Sequence, residues 1–324
     1  MPLITGKPLK NIFRELGGLH AALDNAIPTT MEGSTLLIAT WNLRSFRLLT
    51  RKWTASYADS PKRDLRGLRT IIKAISRFEA IALHEVVGNL RTLGDMMHFL
   101  ADSWSFLTTD ITEGAKGNNE RIAFVFDRSR VQPSGLAAEI VIPSEWRNEL
   151  PEDTLVRQFA RTPYAVSFLA SGQTFILVTL HVEFGQSSTE RVRELEDIAR
   201  WDREWADQSK RWHQSLPALG DFNIYRRGDE LWIALTDTGL TVSEDLHNVP
   251  RTVFSDTNRP DLQKFYDQIA WFETGSTRRG ASLDYAQGRG FDFLPHVYQN
   301  TNLSKTSLTW RISDHYPLRV EFRL

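Results

Sequence analysis

Cysteine is missing from all 324 residues. Disulfides, thiolate metal ligands and cysteine nucleophiles are thereby excluded, and any chemistry falls to carboxylate, amide, imidazole and hydroxyl groups. Long apolar runs are missing too. A membrane helix needs about 20 consecutive apolar residues, and the best candidate, FILVTLHVEF, carries His181 and Glu183 and reads as a strand. The start, MPLITGKPLKNIFRELGG, has no basic segment leading into an apolar run and a small-residue cleavage site. No secretory signal is expected, and the reading is a soluble, cytoplasmic protein. Neither sign of charge is in excess: 39 Lys and Arg against 40 Asp and Glu give a net charge of -1. Bulk electrostatics therefore indicate no general affinity for nucleic acid or membranes, and a polyanionic substrate would have to meet a local basic patch.

Ten Trp and eighteen Phe, within a hydrophobic share of 41%, are enough for a sizeable core. The length suits one large domain or two ordinary ones. No internal repeat, low-complexity linker or shift in composition marks a boundary. Residues 1 to 33 read as an irregular or helical lead-in, interrupted by Gly17-Gly18 and Pro28. LLIATWNL then has the length of a buried strand. Leu65, Leu68, Ile71, Ile72, Ile75 and Phe78 recur at helical spacing, and AIALHEV follows as another strand. A second helix is expected over Asn89 to Ala101.

The middle of the chain is rich in strands: RIAFVFD, LAAEIVI, YAVSFLA and TFILVTLHV, with Ser171-Gly172 as a hairpin turn between the last two. Thr189 to Lys210 suits a long surface helix. A strand into Gly220, a short helix near Glu230 to Asp237, and strands at Tyr266 to Phe272 and Leu318 to Phe322 complete the pattern. Strands in hairpin order interleaved with helices predict a layered α/β fold with mixed sheets.

Several of these strands finish on residues that an apolar core would not choose. Asn42 ends LLIATWN, Glu85 ends IALHE, His181 ends FILVTLH, and Asp221 with Asn223 end LPALGDFN. Asp267 opens DQIAWF, and Asp314-His315 precede the terminal PLRVEF. Alternation along an extended backbone sends Asp221 and Asn223 to one side and Phe222 into the core. Gly220 lets backbone, metal or substrate come close. Singly, each residue has an ordinary reading as a turn residue, a partly buried histidine or a solvated charge. Together, groups that cannot be buried alone must pair or hold a cation. Glu85, with Asn42 and Asp314, offers the oxygen ligands that Mg²⁺ prefers. His181 and His315 could exchange protons near neutral pH, with Glu120 and Asp267 as orienting carboxylates.

The ordered set WNL, LHEV, NERIAFVF, VTLH, GDFN, YDQI and SDHYPL resembles the endonuclease/exonuclease/phosphatase superfamily, with closest likeness to deoxyribonuclease I-like enzymes, from about residue 35 to the end. The resemblance implies a four-layer sandwich of two mixed β-sheets flanked by helices, with 1–33 as an N-terminal extension and 34–324 as the domain. It implies a metal-dependent phosphoester hydrolase using Mg²⁺, with Mn²⁺ or Ca²⁺ as alternatives. Asn42, Glu85 and Asp314 then fall in the metal region, and Asp221 and Asn223 position water and phosphate. His181 with Glu120 and His315 with Asp267 match the two histidine pairs, and Arg161 the arginine beside the phosphate.

Two positions depart from deoxyribonuclease I: Val87 stands where it has an arginine and Asn118 where it has a tyrosine, both tied there to gripping the duplex minor groove. GDFNIYRR is also similar to a segment of inositol polyphosphate phosphatases, and Arg226-Arg227 and Arg278-Arg279 could supply charge at such a mouth. The first expectation is a nuclease cleaving nucleic-acid phosphodiester bonds, and the sequence gives no ground for inferring an obligate protein partner. A phosphatase or phosphodiesterase on a small-molecule or lipid-headgroup phosphate is the alternative, and a catalytically silent binding domain the third reading.

Overall fold

Alternation along the first expected strand sets the layers. Thr35–Phe46 forms β1, and its Leu36 and Ile38 enter one core while Leu37, Ala39 and Trp41 enter another. A strand buried on both faces needs this run of apolar side chains, and one on the middle of a sheet between two other layers has it. The computed structural model describes residues 7–27, 33–111, 119–141, 159, 161–183, 188–209, 215–256, 258–259, 263–272 and 283–324. Helix α1 is Lys10–Ala26, α2 Leu65–Ile75, α3 Arg91–Phe99, α4 Ser188–Ser209, α5 Glu230–Thr236 and α6 Lys305–Thr309. The remaining strands are β2 (Ala80–Val87), β3 (Trp104–Thr108), β4 (Glu120–Asp127), β5 (Gln132–Glu139), β6 (Tyr164–Ala170) and β7 (Gln173–His181). They continue with β8 (Ala218–Ile224), β9 (Leu240–Thr241), β10 (Phe265–Phe272), β11 (Asp284–Gly290) and β12 (Leu318–Arg323).

Two six-stranded sheets result, ordered β11-β12-β1-β2-β4-β3 and β5-β6-β7-β8-β10-β9. Both are mixed, because β1–β2 and β7–β8 run parallel while their other neighbours run antiparallel. Leu36, Ile38, Phe124 and Phe126 of the first sheet meet Phe168 and Phe175 of the second in the core between them. The Phe126 and Phe168 rings sit edge to face at 5.3 Å, a favoured aromatic geometry. The second core lies between the first sheet and α1, α2 and α3. Helices α4 and α5 pack on the second sheet, giving the expected four layers. Within the stretch read as an N-terminal extension, Ile12, Leu19 and Leu23 of α1 are buried, and Glu15 forms a buried ion pair with Arg66 of α2.

Edges differ from the sequence expectation. The strand expected at LAAEIVI begins earlier, at Gln132, and ends at Glu139, with Gly135 at φ +122 where its register on β6 shifts. β3 and β11 were not expected: they lie at sheet margins and carry half-exposed rather than continuous apolar sequence. No helix among the described residues is long and apolar enough to cross a membrane.

One buried group runs against the packing. Leu195, Ile198, Ala199 and Ala206 make the inward stripe of α4, and Asp202 sits within it, 1% exposed. Neither of its carboxylate oxygens has a hydrogen-bond partner among the described residues. Burial pushes this carboxyl from 3.8 up to about 8. The folded protein thus keeps the proton while the unfolded chain releases it. Stability is highest below the unfolded value and falls as pH rises towards the folded one, at about 1.4 kcal/mol per pH unit. Asp202→Asn is expected to remove that slope. Its advantage over the parent in urea unfolding should grow by roughly that amount per unit between pH 5 and pH 8, and a constant difference would contradict the assignment.

Candidate active site

Three neighbouring strands of the second sheet carry polar residues side by side. His181 on β7 pairs in register with Asp221 on β8, and Asp221 with Asp267 on β10. Gly220 makes the close strand approach possible: its φ is +153, and a Cβ there would lie 2.0 Å from the Leu180 carbonyl oxygen. Backbone is what this glycine admits. As alternation requires, Phe222 is fully buried in the core. In the first sheet, Asn42 lies beside His84 in the β1–β2 register. It follows Leu36 and Ile38 on the face turned to the second sheet.

Three polar links then join the two sheets. Asn42 Nδ2 donates to Glu85 Oε1 and to Asp221 Oδ2, each at 3.0 Å. Glu120, opening β4, brings Oε2 to 3.3 Å from His181 Nδ1 and to 2.7 Å from Arg161 Nε. His315 Nδ1 is 2.6 Å from Asp267 Oδ2. His181 Nε2 lies 3.7 Å from Asp221 Oδ2, so both histidines border the same carboxylate cluster. The loop before β12 is fastened to β1: Ser313 Oγ donates to the Asn42 carbonyl at 2.5 Å, and Trp41 Nε1 to the His315 carbonyl at 2.8 Å.

Where β1 passes Asn42, its register on β2 shifts, and Arg44 and Ser45 take φ values of 44° and 51°. Glu85 opposite is also left-handed, at 57°. Such backbone costs of order 1 kcal/mol per residue and persists only where it is held. Ser45 N–H donates to Glu85 Oε2 at 2.6 Å, and Arg44 N–H to Asn42 Oδ1 at 2.9 Å. Arg63 closes the bulge by donating to the carbonyls of Leu43, Arg44, Ser45 and Ile312. The bulge carries the Arg44 guanidinium to 3.2 Å from Asp314 Oδ2 and 4.1 Å above the Trp310 ring.

Charge in the cluster is set by its own partners. Burial opposes ionisation of Asp221, but His315, His181 and the N–H groups of Asn42 and Asn223 outweigh it and hold the carboxyl below its ordinary range. Glu120 is likewise lowered, with burial outweighed by His181 and Arg161. Burial alone would depress His315, yet Asp267, Asp221 and Asp314 raise it well above the usual imidazole range. His84 behaves oppositely: burial, reinforced by His181, takes it down to about 3. It stays neutral and spans the sheets, with Nε2 2.8 Å from Thr179 Oγ1 and its ring edge-on to His181.

All ten residues expected in the site line this cluster or its edge. Asn223 is partly committed to structure, since its Nδ2 donates to the Val182 carbonyl at 2.6 Å. Arg226 and Arg227 are exposed, while Asn118 and Arg278-Arg279 lie outside the described residues. Val87 is buried and pairs with Glu120 in the sheet. Sequence reasoning missed Arg44, Arg63 and His84. Each sits within or near a motif, but its role depends on a bulge or on the opposite sheet.

An oxygen-rich donor set without thiolate suits a hard cation. Donor atoms of Asp221, Asp267 and His315 lie within 4.8 Å of one another, and Asp267 Oδ1 is buried without a hydrogen-bond partner among the described residues. Asp267 Oδ2, however, is already engaged by His315. Glu85 and Asp314 are the carboxylates reached by solvent, and a cation that keeps several waters fits better at that open side, with Asn42 and Asp221 next to it.

With this geometry in view, comparison with known proteins gives a consistent fold. No family model matches the chain. A protein named deoxyribonuclease from Thioalkalivibrio sp. is 26% identical over 259 residues, 78% of this chain. The chain spans 65% of that relative's length. Among solved structures, an endonuclease/exonuclease/phosphatase family protein from Bacteroides thetaiotaomicron aligns at TM-score 0.57 and 16% identity, covering 89% of this chain and 98% of its own. A mannosyl-6-phosphatase from the same organism aligns at 0.56 and 15%, covering 89% and 99%. TDP2 of D. rerio, complexed with a single-strand DNA product, aligns at 0.55 and 16%, covering 90% and 99%. The chain therefore has the fold of the endonuclease/exonuclease/phosphatase proteins. Neighbours on that fold include a phosphatase and a protein holding a DNA product.

Proposed function

We propose that this protein is a metal-dependent phosphodiesterase that hydrolyses nucleic acid, with Mg²⁺ as its metal and residues 34–324 as the catalytic unit. The carrying observation is the convergence of three polar links between the layers, Asn42 to Asp221, Glu120 to His181, and His315 to Asp267, with Glu85 joined to the same Asn42. A buried cluster of ionisable groups is costly to keep unless it serves a charged ligand. The deoxyribonuclease relative favours a polynucleotide over a small phosphate ester. A cytoplasmic setting belongs to the same reading.

Glu85, Asp314 and Asn42 would hold the cation, which when bound would neutralise phosphate charge. Asp221 accepts a hydrogen bond from the attacking water, aligns it and takes up the proton it loses. As the water oxygen forms its bond to phosphorus, the bond to the leaving oxygen breaks. Glu120 fixes His181 at Nδ1 and leaves Nε2 to pass a proton towards that leaving oxygen. Asp267 fixes His315 in the same way, leaving its Nε2 for a phosphoryl oxygen. Arg161, held against Glu120, adds positive charge on the side of His181.

The test is turnover of bis-p-nitrophenyl phosphate, plasmid, single-stranded DNA and RNA with Mg²⁺ and with chelator. Activity should vanish with chelator, return on adding Mg²⁺, and fall by about a thousandfold in His181→Ala. Release of phosphate from inositol or sugar phosphates without polynucleotide cleavage would move the substrate to the small-molecule class. Ligand binding that survives Glu85→Gln, with no turnover of any substrate, would leave a silent domain.

A further inference from the structure

Beyond the bulge lies a cleft that the chemistry above does not use. Its volume is about 340 Å³, within the size range of small-ligand sites. Arg44, Arg47, Lys62 and Arg63 line it, and among the described residues no acidic one does. Leu48 and Trp310 add apolar walls and are 39% and 46% exposed. In a chain of net charge -1 this lining is a local exception; Arg63 is turned to backbone carbonyls, so Arg44, Arg47 and Lys62 are the cations left to meet a ligand.

The cleft is continuous with the cluster. Ser45 borders it while its N–H holds Glu85, and Arg44 borders it while its guanidinium holds Asp314 and covers one face of Trp310. Arg47 is exposed, and its guanidinium has no partner among the described residues. An anion with an apolar, planar body matches this lining: cations meet phosphate, and Trp310 and Leu48 meet a ring. We infer that the cleft takes one unpaired nucleotide of a single-stranded nucleic acid, adjacent to the phosphate held at the cluster. A paired base would present its edge to its complement and keep its faces stacked, so this enclosure favours the single strand. The inference rests on the nuclease reading for its ligand class, and binding separates the two.

Binding of a short fluorescein-labelled oligothymidylate is measured by anisotropy in chelator, where no cleavage occurs. Arg47→Ala and Trp310→Ala are each expected to weaken it about tenfold. Blunt duplex of the same length should compete poorly against the single strand. Should Trp310→Ala lose its fold by circular dichroism, the exposed Arg47 and the conservative Trp310→Phe, expected to retain most binding, decide the matter. Parent-like affinity in Arg47→Ala, or duplex competing as well as single strand, overturns the inference. Failure of the parent to cleave any polynucleotide with Mg²⁺ sinks the nuclease reading instead, and leaves the binding result to stand by itself.

Discussion

Asp221→Asn is expected to lower phosphodiester turnover by about a thousandfold or more while the protein still folds. Asp221 is the residue on which both sheets converge: Asn42 from the first sheet donates to it, and His181 and Asp267 flank it in the second. Its two oxygens accept from different donors, Oδ2 from Asn42 and Oδ1 from the Asn223 N–H at 3.0 Å. An amide keeps the volume but can satisfy only one of them as acceptor, so Asn42 would lose its anchor or turn. An unsatisfied buried donor costs about 1–3 kcal/mol, and removal of a desolvated charge offsets part of it. Stability should change little, while the negative charge proposed to align the water disappears. Turnover of bis-p-nitrophenyl phosphate alongside the thermal midpoint separates the two effects. Activity within tenfold of the parent would show that water is aligned elsewhere. Asn223→Ala should act differently, losing stability as much as rate, because its amide is spent on the Val182 carbonyl.

Much of this site was legible in the sequence because strand ends announce themselves. A run such as TFILVTLH has one polar residue at its end, and that residue is His181; LPALGDFN does the same with Asp221. Period-two alternation was enough to send Phe222 inward. The layered fold was legible for a related reason: strands buried on two faces are continuous apolar runs, and they were recognised where they occur in β1, β2, β4, β6, β7 and β8. Margin strands lack that signal. DYAQGRG forms β11 only because β12 offers a partner edge, which no local pattern records. Likewise nothing in RSFRLL marks a register shift, although Arg44 and Ser45 adopt left-handed backbone without being glycine or asparagine. Their conformation is imposed from outside the segment. His84 illustrates the same limit: read as part of an apolar strand, it turns out to cross to Thr179 in the other sheet.

That outside imposition is the basis of the largest expected effect on stability, which falls on a buried residue beneath the cleft rather than on one of the cluster. Arg63 is 2% exposed and donates to the carbonyls of Leu43, Arg44, Ser45 and Ile312. Its guanidinium also lies 5.2 Å from the Phe46 ring centroid. Burial pulls its pKa down to about 10, against the opposing pull of Glu85, Tyr298 and Asp314, so it remains charged at neutral pH. Removing it strands carbonyls of a backbone that already holds two strained residues. Arg63→Leu should therefore cost about 3–5 kcal/mol and lower the thermal midpoint by roughly 10 °C. Without this brace the bulge can return to regular pairing with β2, which withdraws the Ser45 N–H from Glu85 and the Arg44 guanidinium from Asp314. Turnover should fall with stability even well below the new midpoint, and the concentration of Mg²⁺ needed for half-activity should rise. Arg63→Lys distinguishes charge from geometry: one ammonium keeps the charge but lacks the planar fork that reaches two chain segments at once. It is expected to recover less than half of the lost stability, measured by urea unfolding. Full recovery by lysine would mean that the buried positive charge beside Glu85 matters there, and that the four carbonyl bonds do not.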